Sequence, residues 1–273
     1  MQYALQFKEV CLKLNNMNTL NLQKCFTLAL FGLLLASLSP GAATETINIA
    51  MPESFKPYTY EVDGQWRGID LDIARELHKR MGLDVHYQSM PWARQLAHAE
   101  KGLSAGVLTM YCNDKKTFLE VTEESFYQIK ISLFARKETI KQLDIRSLND
   151  LPQGSVVGIV RSNFFAPEVE KHSNLSVSYS HNTPILIQQL YLKRIDYVME
   201  EYLPFMFYSK ESGYSDDIVE VMVYLTDEVC TGFSKSFFGE QAQSVAQQAS
   251  ELIQQLKAEG FIDRVIQQYI HLQ

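Results

Sequence analysis

Cysteine and histidine are the side chains best suited to covalent or metal chemistry, and in this 273-residue chain they are scattered. His78, His86, His98, His172, His181 and His271 form no ligand-like cluster, so no metal site is expected. No phosphate loop, Gly-x-Ser-x-Gly elbow or Cys-x-x-Cys pair occurs, and no cofactor is expected. Glu124 and Glu201 are carboxylates that could act as a general acid or base, yet neither has an obvious partner in sequence. The pattern therefore favours a binding protein over an enzyme. Of four cysteines, Cys112 and Cys230 lie in the body of the chain. They could form one disulfide in an oxidising compartment or stay as two buried thiols, and the second reading is preferred.

The net charge is −7 and no basic run occurs, which argues against nucleic acid or an anionic membrane as partner. Cys25 to Leu38 is an apolar run preceded by Lys24 and followed by Ser-Pro-Gly-Ala-Ala. Its length falls short of the ~20 residues a membrane-spanning helix needs. It reads as a secretory signal peptide cleaved after Ala43, with Met1 or Met17 as the start. The expected product is soluble, exported and monomeric.

The elements that must position any site alternate between strand and helix. Ile47 to Met51 reads as a strand. Asp70 to Met81 reads as a helix, with Ile73, Leu77 and Met81 on one stripe, Asp70 as N-cap and Gly82 as the left-handed stop. Val85 and Tyr87 mark a strand, Trp92 to Glu100 a helix, and Ala105 to Thr109 a strand. This order argues for a parallel sheet with helices on both faces. A second cycle has strands at 131–136, 155–160, 175–178, 195–199 and 218–225. Its helices begin near Asn163, at Thr183 as N-cap with Pro184 in the first turn, and after Glu201. A long helix carrying Val245, Ala249, Leu252, Ile253 and Leu256 follows. Gly260 ends it before a short last helix.

Two of these helices carry more information together than apart. Trp66 to Gly82 (WRGIDLDIARELHKRMG) and Leu256 to Ile270 (LKAEGFIDRVIQQYI) resemble the opening and closing signatures of the family 3 extracellular solute-binding proteins. The resemblance implies a two-lobed, type II periplasmic binding protein-like α/β fold, each lobe a mostly parallel sheet flanked by helices. It implies residues 1–43 as extension and signal peptide, 44–128 plus 230–273 as a discontinuous first lobe, and 129–229 as the second. The chain would cross between lobes near Tyr127 to Ile131 and near Leu225 to Cys230. It also implies capture of a small polar or zwitterionic, amino-acid-like solute between the lobes for an ABC permease. Cyclohexadienyl dehydratases and sensory modules resemble the same receptors and stand as alternatives.

Carried over residue by residue, the resemblance implies a candidate ligand set. Phe55, in Phe-Lys-Pro-Tyr, takes the position of an aromatic lid, and Trp92 the second aromatic position. Lys116 falls where the family's Thr-Pro-Glu-Arg places an arginine for the solute carboxylate. A lysine lacks the planar two-donor fork, so this departs from the family pattern. Thr109 could add its hydroxyl. Arg161 and Asn163 lie where a glycine turn opens the second lobe's helix, and Arg161 is the expected substitute for the missing fork. Glu201 falls on the acid that holds the solute's amino group, with Asp196 at a structural strand position. A cation from Lys116 or Arg161, facing Glu201, would suit a zwitterion.

Overall fold

The computed structural model describes residues 46–271 apart from 141–143, 162 and 164, so the expected signal peptide lies outside the described residues. Strand β1 (Ile47–Met51) pairs in parallel with β4 (Val85–Ser89) and β5 (Gly106–Tyr111). Strand β8 (Ser155–Val160) pairs in parallel with β9 (Leu175–Ser180) and β10 (Tyr197–Glu201). Between these two groups run β7 (Tyr127–Arg136) and the 17-residue β11 (Ile218–Ser234), antiparallel to each other. The order is β4-β1-β5-β11-β7-β10-β8-β9, with β6 (Leu119–Val121) also on β11. A separate hairpin joins β2 (Tyr60–Val62) to β3 (Gln65–Arg67).

Helix α1 (Ile69–Arg80) buries Ile73, Ala74 and Leu77, as its spacing requires, and Gly82 at φ 72° turns the chain away. Helix α2 (Trp92–Glu100) follows β4, and a short α3 (Ala166–Val169) follows β8. Helices α4 (Thr183–Tyr191) and α5 (Tyr202–Glu211) cover β10 over a core of Phe134, Leu186, Leu190, Val198 and Phe205. After the brief α6 (Lys235–Phe238), helix α7 (Ala242–Ala258) buries Ala249, Ile253 and Leu256. Helix α8 (Phe261–His271) then packs on α1. Its Tyr269 hydroxyl accepts the Gly68 N–H at 3.0 Å and donates to Asp72 at 2.5 Å, pinning the start of α1.

Four expectations change. Asp70 is not the cap of α1. Gly68 holds that position at φ 136°, and Asp70 sits in the first turn with its carboxylate buried. Asn182, not Thr183, caps α4 by accepting the Ile185 N–H at 3.1 Å, because the Thr183 hydroxyl turns to Glu200. The expected strand at 218–225 continues to Ser234. The polar Thr226-Asp-Glu stretch interrupts the apolar pattern, yet its backbone stays paired with β7. The preferred pair of free thiols is a disulfide between Cys112 and Cys230, whose Cα atoms stand 5.0 Å apart. Pairing of β5 with β11 brings them together, a juxtaposition that sequence separation hides.

Candidate functional site

At the carboxyl ends of β1 and β5, and beside the end of β10, opens a cavity of about 780 Å³. Such strand ends gather loops and helix N-termini, where ligands of open α/β sheets sit. Phe55, Trp92, Thr109, Asn163 and Glu201 all line it, so five of the seven candidate residues share one space. Lys116 and Arg161 are not in its lining. The Lys116 ammonium is held 2.6 Å from Asp114, two residues earlier, so the cation at the family's arginine position is already paired. Arg161 is exposed and lays its guanidinium over the Tyr179 ring, 4.8 Å from the centroid, a cation–π contact. Asn163 spends an amide hydrogen on Glu200 at 3.1 Å.

The interior of the cavity joins the candidates Thr109, Asn163 and Glu201 to Tyr58, Asp70, Tyr127 and Glu200, which were not singled out as ligands. Asp70 accepts from the Thr109 hydroxyl at 2.9 Å and from the Tyr127 hydroxyl. Glu201 accepts from the Tyr58 hydroxyl across 143 residues of sequence. The Tyr58 and Tyr127 rings stack, 5.9 Å between centroids and 7° between planes, so the two acid–tyrosine pairs stand side by side. Behind Glu201, Glu200 is 3% exposed and accepts from Asn163, from the Thr183 hydroxyl and from the Glu201 N–H. Glu201 is the N-cap of α5 by position, but its side chain makes no capping bond and turns to Tyr58 instead.

Local structure explains this. Gly68 lets the Phe55–Tyr58 loop, which contains the cis Lys56–Pro57 bond, lie against the start of α1. There Ile69 and Asp70 donate backbone N–H groups to the carbonyls of Pro57 and Tyr58. That contact sets Tyr58 and Asp70 on one wall. Strand β10 runs buried along its length and delivers Glu200 and Glu201 at its carboxyl end.

Burial dominates the electrostatics. Desolvation lifts the Asp70 carboxyl to about 6, against the opposing hydrogen bonds from Tyr127 and Thr109. Desolvation lifts Glu201 to about 8; the Tyr58 bond opposes this, while the charges of Glu200 and Asp70 add to it. Glu200 is raised chiefly by burial as well. Burial and the neighbouring carboxylates push the Tyr58 and Tyr127 phenols far up, so both stay protonated donors.

Two of the missed residues left a signal that another role absorbed. Asp70 reads as a helix cap and Tyr127 as a crossing residue. Gln95 left none, since a glutamine within an amphipathic helix is unremarked. Among the described residues no group of three or more histidine, cysteine or acidic side chains could hold a metal ion.

Residues 47–272 match the family model described as bacterial extracellular solute-binding proteins, family 3. No curated protein matches the sequence. Solved structures resemble the fold at low identity. One is an amino acid ABC transporter substrate-binding protein, AbpA, of Streptococcus pneumoniae bound to L-arginine. It has a TM-score of 0.63 and 19% identity, over 82% of this chain and 94% of that one. Substrate-binding domain 2 of GlnP from Lactococcus lactis, in an open conformation, gives 0.64 at 17% identity over 83% and 96%. The ancestral amino acid-binding protein AncCDT-1, a precursor of cyclohexadienyl dehydratase, gives 0.64 at 16% identity over 82% and 94%.

Proposed function

The chain belongs to the bacterial extracellular solute-binding proteins, family 3, and from that membership we propose that it is a periplasmic receptor. It captures a small polar, amine-bearing solute of amino-acid size and presents it to an ABC permease in the inner membrane. The observation that carries this reading is the cavity itself, where Tyr58 and Glu201 meet across 143 residues beneath the exposed rings of Phe55 and Trp92. Lobe 1 is 44–128 plus 230–273 and lobe 2 is 129–229, with β7 and β11 as the paired crossings. Solute binds one lobe, and the second closes over it through contacts available only when shut. The protein acts as a monomer. No described helix is long and apolar enough to cross a membrane, and export with cleavage after Ala43 would give a mature chain that starts at Thr44.

The deciding experiment is a thermal-shift screen of the purified protein against amino acids, short peptides, polyamines and dicarboxylates. A ligand that binds only the folded form raises its melting temperature by mass action. At least one solute class should do so, and Phe55→Ala should weaken that shift. A flat response across the whole panel removes the receptor reading. Amino-terminal sequencing of the exported protein checks the cleavage point.

A second reading has one observation behind it. Glu201, held largely protonated at neutral pH, is the kind of general acid that a dehydratase would need, and a dehydratase precursor is among the fold's relatives. Turnover of prephenate or arogenate by the purified protein would establish it. A family dominated by binding proteins favours the receptor.

A further inference from the structure

We infer that the solute is an organic cation recognised through its ammonium group, without a carboxylate contact. The inference rests on the receptor reading above and sharpens it to a ligand class. Amino acids offer a receptor two charges, and the family resemblance leads one to look for a protein cation to meet the carboxylate. Neither expected cation is present in the cavity wall. Lys116 is tied to Asp114, and Arg161 lies over Tyr179. Among the described residues of the lining there is no lysine, arginine or histidine, while Glu53, Asp70, Glu201 and Asp227 contribute acids beside Asp114, which Lys116 already pairs. A solute carboxylate entering this space would add a further negative charge to it.

Gln95 provides an independent observation. It is 1% exposed and lines the cavity from the first half of α2. Its Nε2 donates to the Met90 carbonyl at 2.9 Å, which fixes the amide's orientation, and among the described residues its Oε1 has no hydrogen-bond partner. A buried acceptor left unpaired is costly, so this carbonyl calls for an N–H donor and offers nothing to a carboxylate. The Glu201 and Asp70 carboxyl groups point to the same preference. Both are 5% exposed, both bind only neutral hydroxyls in the contacts described above, and among the described residues of the lining neither has a cation beside it. A carboxylate buried in that way keeps a proton or receives a positive partner.

The aromatic surfaces complete the fit. Phe55, Tyr58, Trp92, Tyr111 and Tyr127 line the same space, and the faces of such rings attract an ammonium or its adjoining methylenes. Hydrogen-bond acceptors call for N–H groups, so primary and secondary ammonium solutes suit the cavity better than quaternary ones.

Matched pairs that differ only in the carboxylate test the assignment. Calorimetric titration of the purified protein with agmatine against L-arginine, cadaverine against L-lysine, and tyramine against L-tyrosine should show the decarboxylated member binding at least tenfold tighter in one pair or more. Glu201→Gln and Gln95→Leu should each weaken that amine tenfold or more, and circular dichroism should show both variants folded. If the amino acids bind tighter than their amines, the cation assignment is overturned while the receptor reading stands. The same holds if only neutral or acidic solutes bind and Phe55→Ala weakens them. Binding by no member of the wider solute panel overturns both.

Discussion

Asp70 and Glu201 carry the protein's response to pH, and the sign follows from burial. Glu201 rises from an ordinary value of 4.5 to about 8 on folding, and Asp70 from 3.8 to about 6. Between those limits the native state holds protons that the unfolded chain has lost. Stability of the unliganded protein therefore falls as pH rises through the window. Thermal unfolding should show the melting temperature declining from about pH 5 to about pH 8. Glu201→Gln, neutral at every pH, should flatten the upper part of that decline, and an unchanged slope would show that Glu201 does not titrate there. Binding of an ammonium solute runs the other way, because the proton on Glu201 must leave first. Affinity should climb by up to tenfold per pH unit between about pH 6 and pH 8 and then level off. Lys116 offers a contrast. Paired with Asp114 and outside the cavity lining, Lys116→Ala should change affinity by less than about twofold. Glu201→Gln should cost tenfold, about 1.4 kcal/mol. The sequence motif put Lys116 at the family's arginine position and could not reveal that Asp114 holds its ammonium. Nor could spacing find Tyr58 against Glu201, since such pairs arise only when distant strands meet.

At the scale of elements, the helices were legible because their burial repeats locally. Ile73 and Leu77 on α1, and Ala249, Ile253 and Leu256 on α7, announce themselves within two turns. What stayed hidden was non-local: that β11 runs unbroken past its acidic stretch, and that its pairing with β5 brings Cys230 to Cys112. That bond closes 118 residues of chain, so its loss should matter to stability. Cys112→Ser should destabilise the protein by about 2–5 kcal/mol, and reductant should lower the wild-type melting temperature but not the variant's. Gly68 is the other element-level joint. At φ 136° a side chain is strained whatever the space, and a Cβ there would stand 2.0 Å from the Tyr58 carbonyl oxygen. Gly68→Ala should therefore cost more than the roughly 1–3 kcal/mol of backbone strain alone. It should also push the Tyr58 loop from α1, weakening solute binding with stability. A denaturant melt and a titration on the same sample would show whether the two losses travel together.

For the whole molecule, what matters is which contacts must break for solute to enter. Several contacts among the described residues join the Phe55–Tyr60 segment to the Glu201–Glu211 segment, including a hydrogen bond between the Lys56 backbone and Tyr208; two of them involve acidic side chains. One is Tyr58 on Glu201. The other is Lys56, 2.7 Å from Glu211 and over the Phe207 ring at 5.5 Å, with Tyr60 against that same ring. Meanwhile β7 and β11 stay paired from Tyr127 through Arg136, with the register shifting between Glu220 and Met222 and between Val223 and Leu225. If the two strands form the proposed hinge, the protein gains solute affinity from every contact that forms only on closure. Lys56 is partly exposed, so its ion pair is worth at most about 1 kcal/mol and the aromatic contact a comparable amount. Lys56→Ala should accordingly loosen the closed form by a few-fold, raising the dissociation rate of bound solute about three- to tenfold while leaving its association rate nearly unchanged. Stopped-flow release of a bound solute measures both. An effect confined to the association rate would mean that Lys56 steers entry rather than latching the closed form. If neither rate changes, the Lys56 side chain is no latch, and the proposed closed form must be held by Tyr58 on Glu201 and by the Lys56 backbone on Tyr208.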